Sequence, residues 1–180
     1  MKKVKNWAWA TALVALAGTA QATLISQGDG TVKDTNTNLL WEQNANHGPF
    51  NWADANTYAN TLNLNGTGWH LATFGELLGL YNDLIAAAVC TGANCTGSIG
   101  GFTGIQRDYW SSTESAPGIE AVTFRFGDGP QLGGRFENFA FAAWAVRPGD
   151  VTAAVPEPQT LALALLALCA AVMAGRRRAA

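Results

Sequence analysis

The stretch Gly68-Trp69-His70-Leu71-Ala72-Thr73-Phe74-Gly75-Glu76-Leu77 contains the clearest helix start in this chain of 180 residues. Thr73 and Glu76 match a capping box, in which each of the two side chains bonds the backbone N–H of the other residue. Apolar residues then recur at helical spacing and predict a broad buried face, formed by Phe74, Leu77, Leu78, Tyr81, Leu84 and Ile85.

The residues before this helix predict a hairpin and a shorter helix. Residues 30–34 and 39–42 have strand composition and flank a turn rich in Thr and Asn. Asn51 can cap a helix, with Asp54 at the capping-box position. Apolar residues follow the cap at helical spacing, namely Trp52, Ala55, Tyr58, Ala59 and Leu62. Both predicted helices therefore lie in the first half of the chain.

The second half of the chain predicts strands. A Gly-rich loop covers residues 91–104, and residues 127–130 have turn composition. Strands are predicted to begin at 109–113, to alternate over 120–126 and to end with one last strand over 139–147. Early helices followed by antiparallel strands predict an α+β domain.

The N-terminus has the layout of a secretory signal peptide. Lys2, Lys3 and Lys5 form a positive region, residues 7–17 are mostly apolar, and Ala20-Gln21-Ala22 fits a cleavage site. We therefore predict that residues 1–22 are a cleaved signal and that residues 23–150 form the exported domain.

The last 26 residues join a proline-rich opening, an apolar run and a basic cluster. Val155, Pro156, Glu157 and Pro158 precede an apolar run over 161–174, which is shorter than the ~20 residues that span a bilayer. Positive flanks resist translocation, so the terminal cluster should stay in the cytoplasm; it consists of Arg176, Arg177 and Arg178. Residues 151–180 thus predict a sorting tail with one marginal transmembrane helix, a transient anchor in the inner membrane.

These three features of the tail resemble the PEP-CTERM sorting signal of bacteria that make exopolysaccharide. The resemblance implies that an exosortase, a membrane cysteine peptidase, recognises the tail and cuts it near the Pro-Glu-Pro motif. The protein would first be held at the membrane by the tail and then be released to the cell surface or the extracellular matrix.

Motifs between the two terminal segments carry a second resemblance. In chain order they are Val32-Lys33-Asp34 with Leu40-Trp41, Trp52-Ala53-Asp54-Ala55, Gly68 to Thr73 with Glu76-Leu77, Tyr109 to Thr113, and Trp144 to Gly149. This order resembles the DUF1566 family, also called the Lcl C-terminal domain family. The resemblance implies a C-type-lectin-like fold, with two helices packed on a twisted antiparallel sheet. The family usually has Trp-Arg-Leu-Pro-Thr where this chain has Trp69-His70-Leu71-Ala72-Thr73, so a ligand or ion pair of that arginine does not carry over.

The charge distribution and the cysteines limit which partners and ions the chain could bind. Six of the 11 basic residues lie in the terminal segments, whereas 12 of the 13 acidic residues lie between residues 23 and 150. An acidic surface repels phosphate backbones, which excludes nucleic acid as a partner. Cys90 and Cys95 could form a disulfide in an oxidising compartment, remain free thiols or bind a metal. No metal or cofactor is predicted, because His47 and His70 are the only histidines, although an ion at Asp29 or Asp34 stays open.

The residues with catalytic potential form no recognisable motif. Ser111 and Ser112 have no Gly-x-Ser-x-Gly context, although His70 could in principle act as their base. Four acids could supply a glycosidase pair, but they are scattered singly along the chain: Glu76, Asp108, Glu114 and Asp128. The sequence therefore predicts no catalytic residues and no enzyme.

Sugar binding remains the more credible role, since aromatic faces can stack on sugar rings. Trp41, Trp69 and Trp110 are the candidate stacking residues, although core packing is the default for most tryptophans here. We predict an exported, non-enzymatic binding or adhesion module that is associated with exopolysaccharide. The alternatives are a glycan-active hydrolase and a purely structural matrix component.

Overall fold

The computed structural model describes residues 24–92, 94–129 and 133–149. The predicted signal peptide (1–22) and sorting tail (151–180) lie outside these residues. The described residues form β1 (Leu24–Ser26), β2 (Thr31–Asp34), β3 (Leu39–Glu42), β4 (His47–Phe50), α1 (Trp52–Thr61), β5 (His70–Leu71), α2 (Phe74–Ala86), β6 (Asp108–Ala116), β7 (Glu120–Arg125), β8 (Gly134–Phe136), β9 (Phe141–Ala143) and β10 (Ala145–Pro148). No helix in these ranges is long and apolar enough to cross a membrane.

Both helices begin where the capping signals predict. The Asn51 side chain accepts a hydrogen bond from the Asp54 N–H at 2.9 Å, directly before α1. At α2 the Thr73 hydroxyl accepts from the Glu76 N–H, and the Glu76 carboxylate accepts from the Thr73 N–H at 2.8 Å. Both arrangements satisfy N–H groups that a helix start otherwise leaves without partners. These two predictions are confirmed.

The strands form two five-stranded sheets, which the sequence did not predict. The first has the order β1-β2-β3-β10-β5, and the second has the order β4-β9-β6-β7-β8. The predicted hairpin is confirmed as the β2–β3 pair, and β10 lies on the other side of β3. The described pairs are antiparallel except for β6 with β9, so the second sheet is mixed. The α+β class is confirmed, but the expectation of one antiparallel sheet is wrong.

The prediction of a single last strand over 139–147 is also wrong. β9 pairs with β4 and β6 in the second sheet, whereas β10 pairs with β3 and β5 in the first. Trp144 lies between the two strands, is fully buried and donates from Nε1 to the Glu42 carbonyl at 2.8 Å. The chain passes from one sheet to the other at this indole. The residues on both sides of Trp144, from 142 to 146, are all buried, so they show no alternation between buried and exposed positions.

Two apolar clusters fill the interior. The larger packs α2 residues such as Leu77 and Leu84 against Trp41, Trp144 and other aromatic rings. The smaller packs the Ala55 and Ala59 side of α1 against a different group, which includes Trp69, Leu71, Trp110, Ala121, Ala143 and Ala145. The smaller cluster covers the face of β7 that points away from the larger cluster. Ala121 on that face is therefore buried, although the alternation of apolar and polar residues along β7 would place it on the exposed side.

A disulfide joins Cys90 to Cys95, with an S–S distance of 2.04 Å. Cys95 is fully buried in the larger cluster, and its N–H donates to the Phe126 carbonyl at 3.3 Å. The disulfide loop therefore attaches the segment after α2 to the end of β7.

Candidate functional site

The three tryptophans that were candidates for ligand stacking lie in the core. Trp41 and Trp110 are completely buried, and Trp69 is 3% exposed. The Trp110 indole donates to the Phe50 carbonyl at 2.9 Å, and the Trp69 indole donates to the Leu64 carbonyl at 3.0 Å. The stacking prediction is wrong for these residues, because none of the three rings can reach a ligand.

The structure does not combine the serines and His70 into a nucleophile and base. Ser111 is fully buried, and its hydroxyl donates to the Val122 carbonyl at 2.8 Å. His70 instead places Nε2 3.2 Å from Glu76, and this hydrogen bond raises the pKa of His70. Burial alone would raise the pKa of Glu76, but hydrogen bonds from His70 and Thr73 together hold it below its usual value. Glu76 is therefore occupied as a capping carboxylate.

Two carboxylates that could have held an ion are used within turns. Asp29 accepts from the Thr31 N–H at 3.0 Å and from its hydroxyl at 2.6 Å. Asp34 accepts from the Asn36 N–H at 2.9 Å and from the Thr37 hydroxyl at 2.5 Å. Within residues 24–92, 94–129 and 133–149, no three His, Cys, Asp or Glu side chains come together as metal ligands.

A polar groove of about 300 Å³ opens where β4, β6 and β9 lie side by side. Its lining comes from three separate segments, residues 46–49, 106–108 and 140–142. The lining residues Asn46, His47 and Gln106 carry planar polar groups, and Phe141 supplies a half-buried ring. Such a mixture of planar donors, acceptors and an apolar ring suits a ligand that has many hydroxyl groups.

His47 is fixed from behind by two residues that lie deeper in the molecule. Its Nε2 lies 2.9 Å from Oε1 of Glu42, a side chain only 8% exposed, and its ring stacks on Tyr58 at 4.7 Å between centroids. The Tyr58 hydroxyl donates to both Glu42 oxygens, at 2.7 and 2.8 Å. Burial raises the pKa of Glu42 above its ordinary value, against the opposing effects of Tyr58 and His47. One edge and one face of the imidazole are thus held in place.

An ion-pair network forms one wall beside the groove, and we call it the Asp–Arg quartet. Arg125 Nε donates to Asp108 at 2.8 Å, and Arg107 donates to Asp128 at 3.0 Å. Arg125 also lies 3.3 Å from Asp128. The hydrogen bond donated by Arg107 lowers the pKa of Asp128, and the hydrogen bond that Arg125 donates to Asp108 raises the pKa of Arg125. Two positive and two negative groups leave this wall without net charge.

The four candidate acids are therefore separated into different roles. Glu76 caps α2, and Glu114 accepts from the Gly118 N–H at 3.2 Å in the β6–β7 turn. Asp108 and Asp128 do come together, but through the two guanidinium groups of the quartet.

Tyr58→Phe tests the support behind His47. Removing the hydroxyl takes a donor from the buried Glu42 carboxylate, and hydrogen bonds to charged groups contribute about 1.5–3 kcal/mol when intact. Because Tyr58 is partly exposed, we expect a loss of about 1 kcal/mol in the free energy of unfolding at pH 7. The loss should shrink toward pH 4, because the missing donor raises the pKa of Glu42 further and protonation then relieves the defect. Urea denaturation at both pH values measures this, and an equal loss at both would contradict the assignment.

Sequence reasoning missed the groove residues because they come from segments far apart in the chain. In the sequence, His47 is one of two histidines and belongs to no recognisable site motif. No sequence motif marks Gln106 or Phe141 as a site residue. Only the pairing of β4 and β6 with β9 brings these three positions together. The polar content of residues 44–47 was the one available hint that this segment borders solvent.

Comparison with protein families gives two matches. The model of the Lcl C-terminal domain matches residues 30–147, which include both sheets and both helices except for the first strand and the last residue of β10. The PEP-CTERM protein-sorting motif matches residues 154–178. That motif implies a protein that an exosortase sorts to the outside of the cell. No curated protein matches the chain.

Proposed function

Because this chain belongs to the Lcl C-terminal domain family and carries a PEP-CTERM sorting motif, we propose that it is a non-enzymatic binding module of the extracellular exopolysaccharide matrix. The groove between β4, β6 and β9 is its glycan-contacting surface. The observation that carries this proposal is the fixed imidazole of His47 among amide groups and a half-buried phenylalanine ring.

The charges around the groove favour a neutral glycan. The guanidinium groups of Arg107 and Arg125 are paired with Asp108 and Asp128 within the Asp–Arg quartet. They are therefore poor partners for sulfate or carboxylate groups on a ligand, and the rest of the domain is acidic. A neutral sugar chain can use the amides of Asn46 and Gln106 without a charge penalty.

The same quartet supports a role without catalysis. Glycoside hydrolysis needs one protonated carboxylic acid and one carboxylate on either side of the scissile bond. Hydrogen bonding from Arg107 lowers the pKa of Asp128, so that this group stays ionised at neutral pH. Near the groove, Glu42 has a raised pKa, but it is buried behind His47 and bonded to Tyr58. Neither group is placed to protonate a leaving sugar.

The proposal includes the finer points that the resemblances imply. We assign the domain to the C-type-lectin-like folds, and the pairing of β10 with β3 supports this because it joins the two ends of the domain in one sheet. Residues 1–22 would be removed as a signal peptide. The tail would hold the protein in the inner membrane through one span until exosortase releases it to the surface or matrix.

The double variant Asn46→Ala/Gln106→Ala tests the groove. Both side chains border the groove, and we expect about tenfold weaker binding to the neutral exopolysaccharide of the producing cells, which corresponds to ~1.4 kcal/mol. Calorimetric titration of the purified protein measures the affinity. The matched control is Asn82→Ala, an exposed asparagine on α2 that does not line the groove.

Two results would overturn the proposal. Wild-type protein that binds no fragment of that polysaccharide would remove the binding role. Release of reducing ends from the polysaccharide by the purified protein would replace the binding role with the hydrolase alternative.

A further inference from the structure

A second depression, which we call the phenylalanine cleft, lies at the β6–β7 turn. It has a volume of about 440 Å³ and is lined by Gly118, Ile119 and residues 136–139. Its three large apolar side chains are unusually open to solvent, since Ile119 is 58%, Phe136 54% and Phe139 48% exposed. Exposed apolar side chains that cluster in one depression mark an interaction site more often than scattered ones do.

The backbone holds these rings in a fixed position. The Glu137 N–H donates to the Ile119 carbonyl at 3.1 Å, and the Glu137 carbonyl accepts from the Trp52 N–H at 3.0 Å. The Phe139 N–H donates to the Phe136 carbonyl at 2.9 Å, which places the two rings 6.2 Å apart between centroids. Exposed rings on an anchored backbone lose little freedom when a ligand binds.

One segment of the chain links the cleft to the groove. Phe139 lines the cleft, and the next residues, Ala140 and Phe141, line the groove. Consecutive Cα atoms are about 3.8 Å apart, so the two depressions share one segment of chain. A ligand that extends from the groove along residues 139–141 would reach the phenylalanine rings.

We propose that the phenylalanine cleft is a second contact region for the same neutral polysaccharide strand that enters the groove. The apolar faces of sugar rings pack on Phe136 and Phe139, and hydroxyl groups bond the Asn138 amide and the Glu137 carboxylate beside them. Asn138 is exposed and Glu137 is half-buried, and both residues line the cleft. This inference rests on the proposed function and extends it to polymer length.

A glycan fits this cleft better than a second protein does. Stable protein interfaces bury about 1,200–2,000 Å² in total, far more than three side chains can offer. The two phenylalanines also flank Glu137 and Asn138 in the chain, so that the surface is a mixture of rings and polar groups. Such a mixture suits a sugar ring, which has apolar faces and polar edges.

The test uses the full chain and fragments of the producing cells' neutral exopolysaccharide, separated by length. For the wild-type protein we expect affinity to rise about tenfold between short fragments and fragments long enough to cover both depressions. In Phe136→Ala/Phe139→Ala that rise should disappear, while the affinity for short fragments stays unchanged. Ile85→Ala, which removes an exposed apolar side chain of α2, is the matched control and should keep the rise. If the double variant does not fold, Phe139→Ala alone provides the comparison.

The outcomes separate this inference from the proposed function. Short fragments that bind wild-type protein, together with a double variant that keeps the full length dependence, would overturn the inference and leave the groove intact. Absence of binding by every fragment would overturn both. A double variant that changes the oligomeric state in light scattering but not the glycan affinity would show a protein interface instead of a sugar contact.

Discussion

Trp144→Ala is expected to lower the free energy of unfolding by about 4 kcal/mol, the upper range for a large-to-small core substitution. The indole is fully buried at the passage of the chain between the two sheets. Its ring lies 4.9 Å from Phe102, 5.2 Å from Tyr109 and 5.3 Å from Trp41, measured between centroids. A cavity at this position would remove aromatic contacts from several strands at once.

The same substitution also removes a hydrogen-bond donor. Trp144 Nε1 donates to the Glu42 carbonyl at 2.8 Å, and a buried carbonyl without a partner costs about 1–3 kcal/mol. Total stabilities of domains are only about 5–15 kcal/mol, so this loss would remove a large share of the free energy of unfolding. The side chain of Glu42 also contacts His47, and groove binding should therefore fall together with stability.

Urea denaturation and near-ultraviolet circular dichroism measure this effect. Trp144→Phe keeps a ring but loses the indole N–H, and we expect a smaller loss of about 2 kcal/mol. Trp52→Phe is a second comparison, because that indole also donates to a backbone carbonyl, of Ser111, but from a partly exposed position. A loss below about 1 kcal/mol for Trp144→Ala would show that the two sheets do not depend on this residue.

The helices could be predicted from sequence because their signals are local. Asn51 and Thr73 act on N–H groups three residues away, so a short window of sequence contains the whole interaction. The β2–β3 hairpin is local for the same reason. The division of residues 139–147 could not be predicted, because Trp144 interrupts the strand only through contacts with rings from distant segments.

The candidate site could be predicted only in part. A tryptophan has the same composition signal whether it packs in a core or stacks on a sugar, and Trp41, Trp69 and Trp110 prove to be core residues. The exposed rings are instead Phe136 and Phe139, whose exposure depends on the position of β8 beside β7. Accessibility is a property of tertiary packing, and no spacing within the chain determines it.

Asp83→Asn is expected to raise the free energy of unfolding by about 2 kcal/mol at pH 7. Asp83 lies on α2, is 5% exposed, and neighbours the carboxyl group of Asp34, which is fully buried on β2; among the described residues, Asp83 Oδ2 has no hydrogen-bond partner. Burial and the neighbouring Asp34 charge raise the pKa of Asp83 to about 6. The Asn36 amide donates to Asp83 Oδ1 at 3.1 Å, and no salt bridge among the described residues involves Asp83.

The sign of the pH dependence follows from the direction of this shift. The folded state holds a proton on Asp83 up to about pH 6, whereas the unfolded chain releases it near the ordinary value of 3.8. Between these values the folded state binds more protons, so stability falls as the pH rises. An asparagine can donate to Asp34 and still accept from Asn36 at every pH. The stability gain of the variant over the wild-type protein should therefore be largest above pH 6. The variant should also lack the fall in stability that the wild-type protein shows between pH 4 and pH 6.

Thermal unfolding between pH 4 and pH 8 measures both effects, and 2 kcal/mol corresponds to a shift of roughly 5–10 °C for a domain of this size. Asp34→Asn is the matched control, because Asp34 accepts from the Asn36 N–H and from the Thr37 hydroxyl. An asparagine amide at position 34 would direct its own N–H groups toward the donors of Asn36 and Thr37. We therefore expect Asp34→Asn to destabilise the domain. If Asp83→Asn keeps the decline of the wild-type protein between pH 4 and pH 6, another group causes it. If both variants stabilise equally, simple relief of charge repulsion explains the gain, and the proton on Asp83 has no special role in joining α2 to the β2–β3 hairpin.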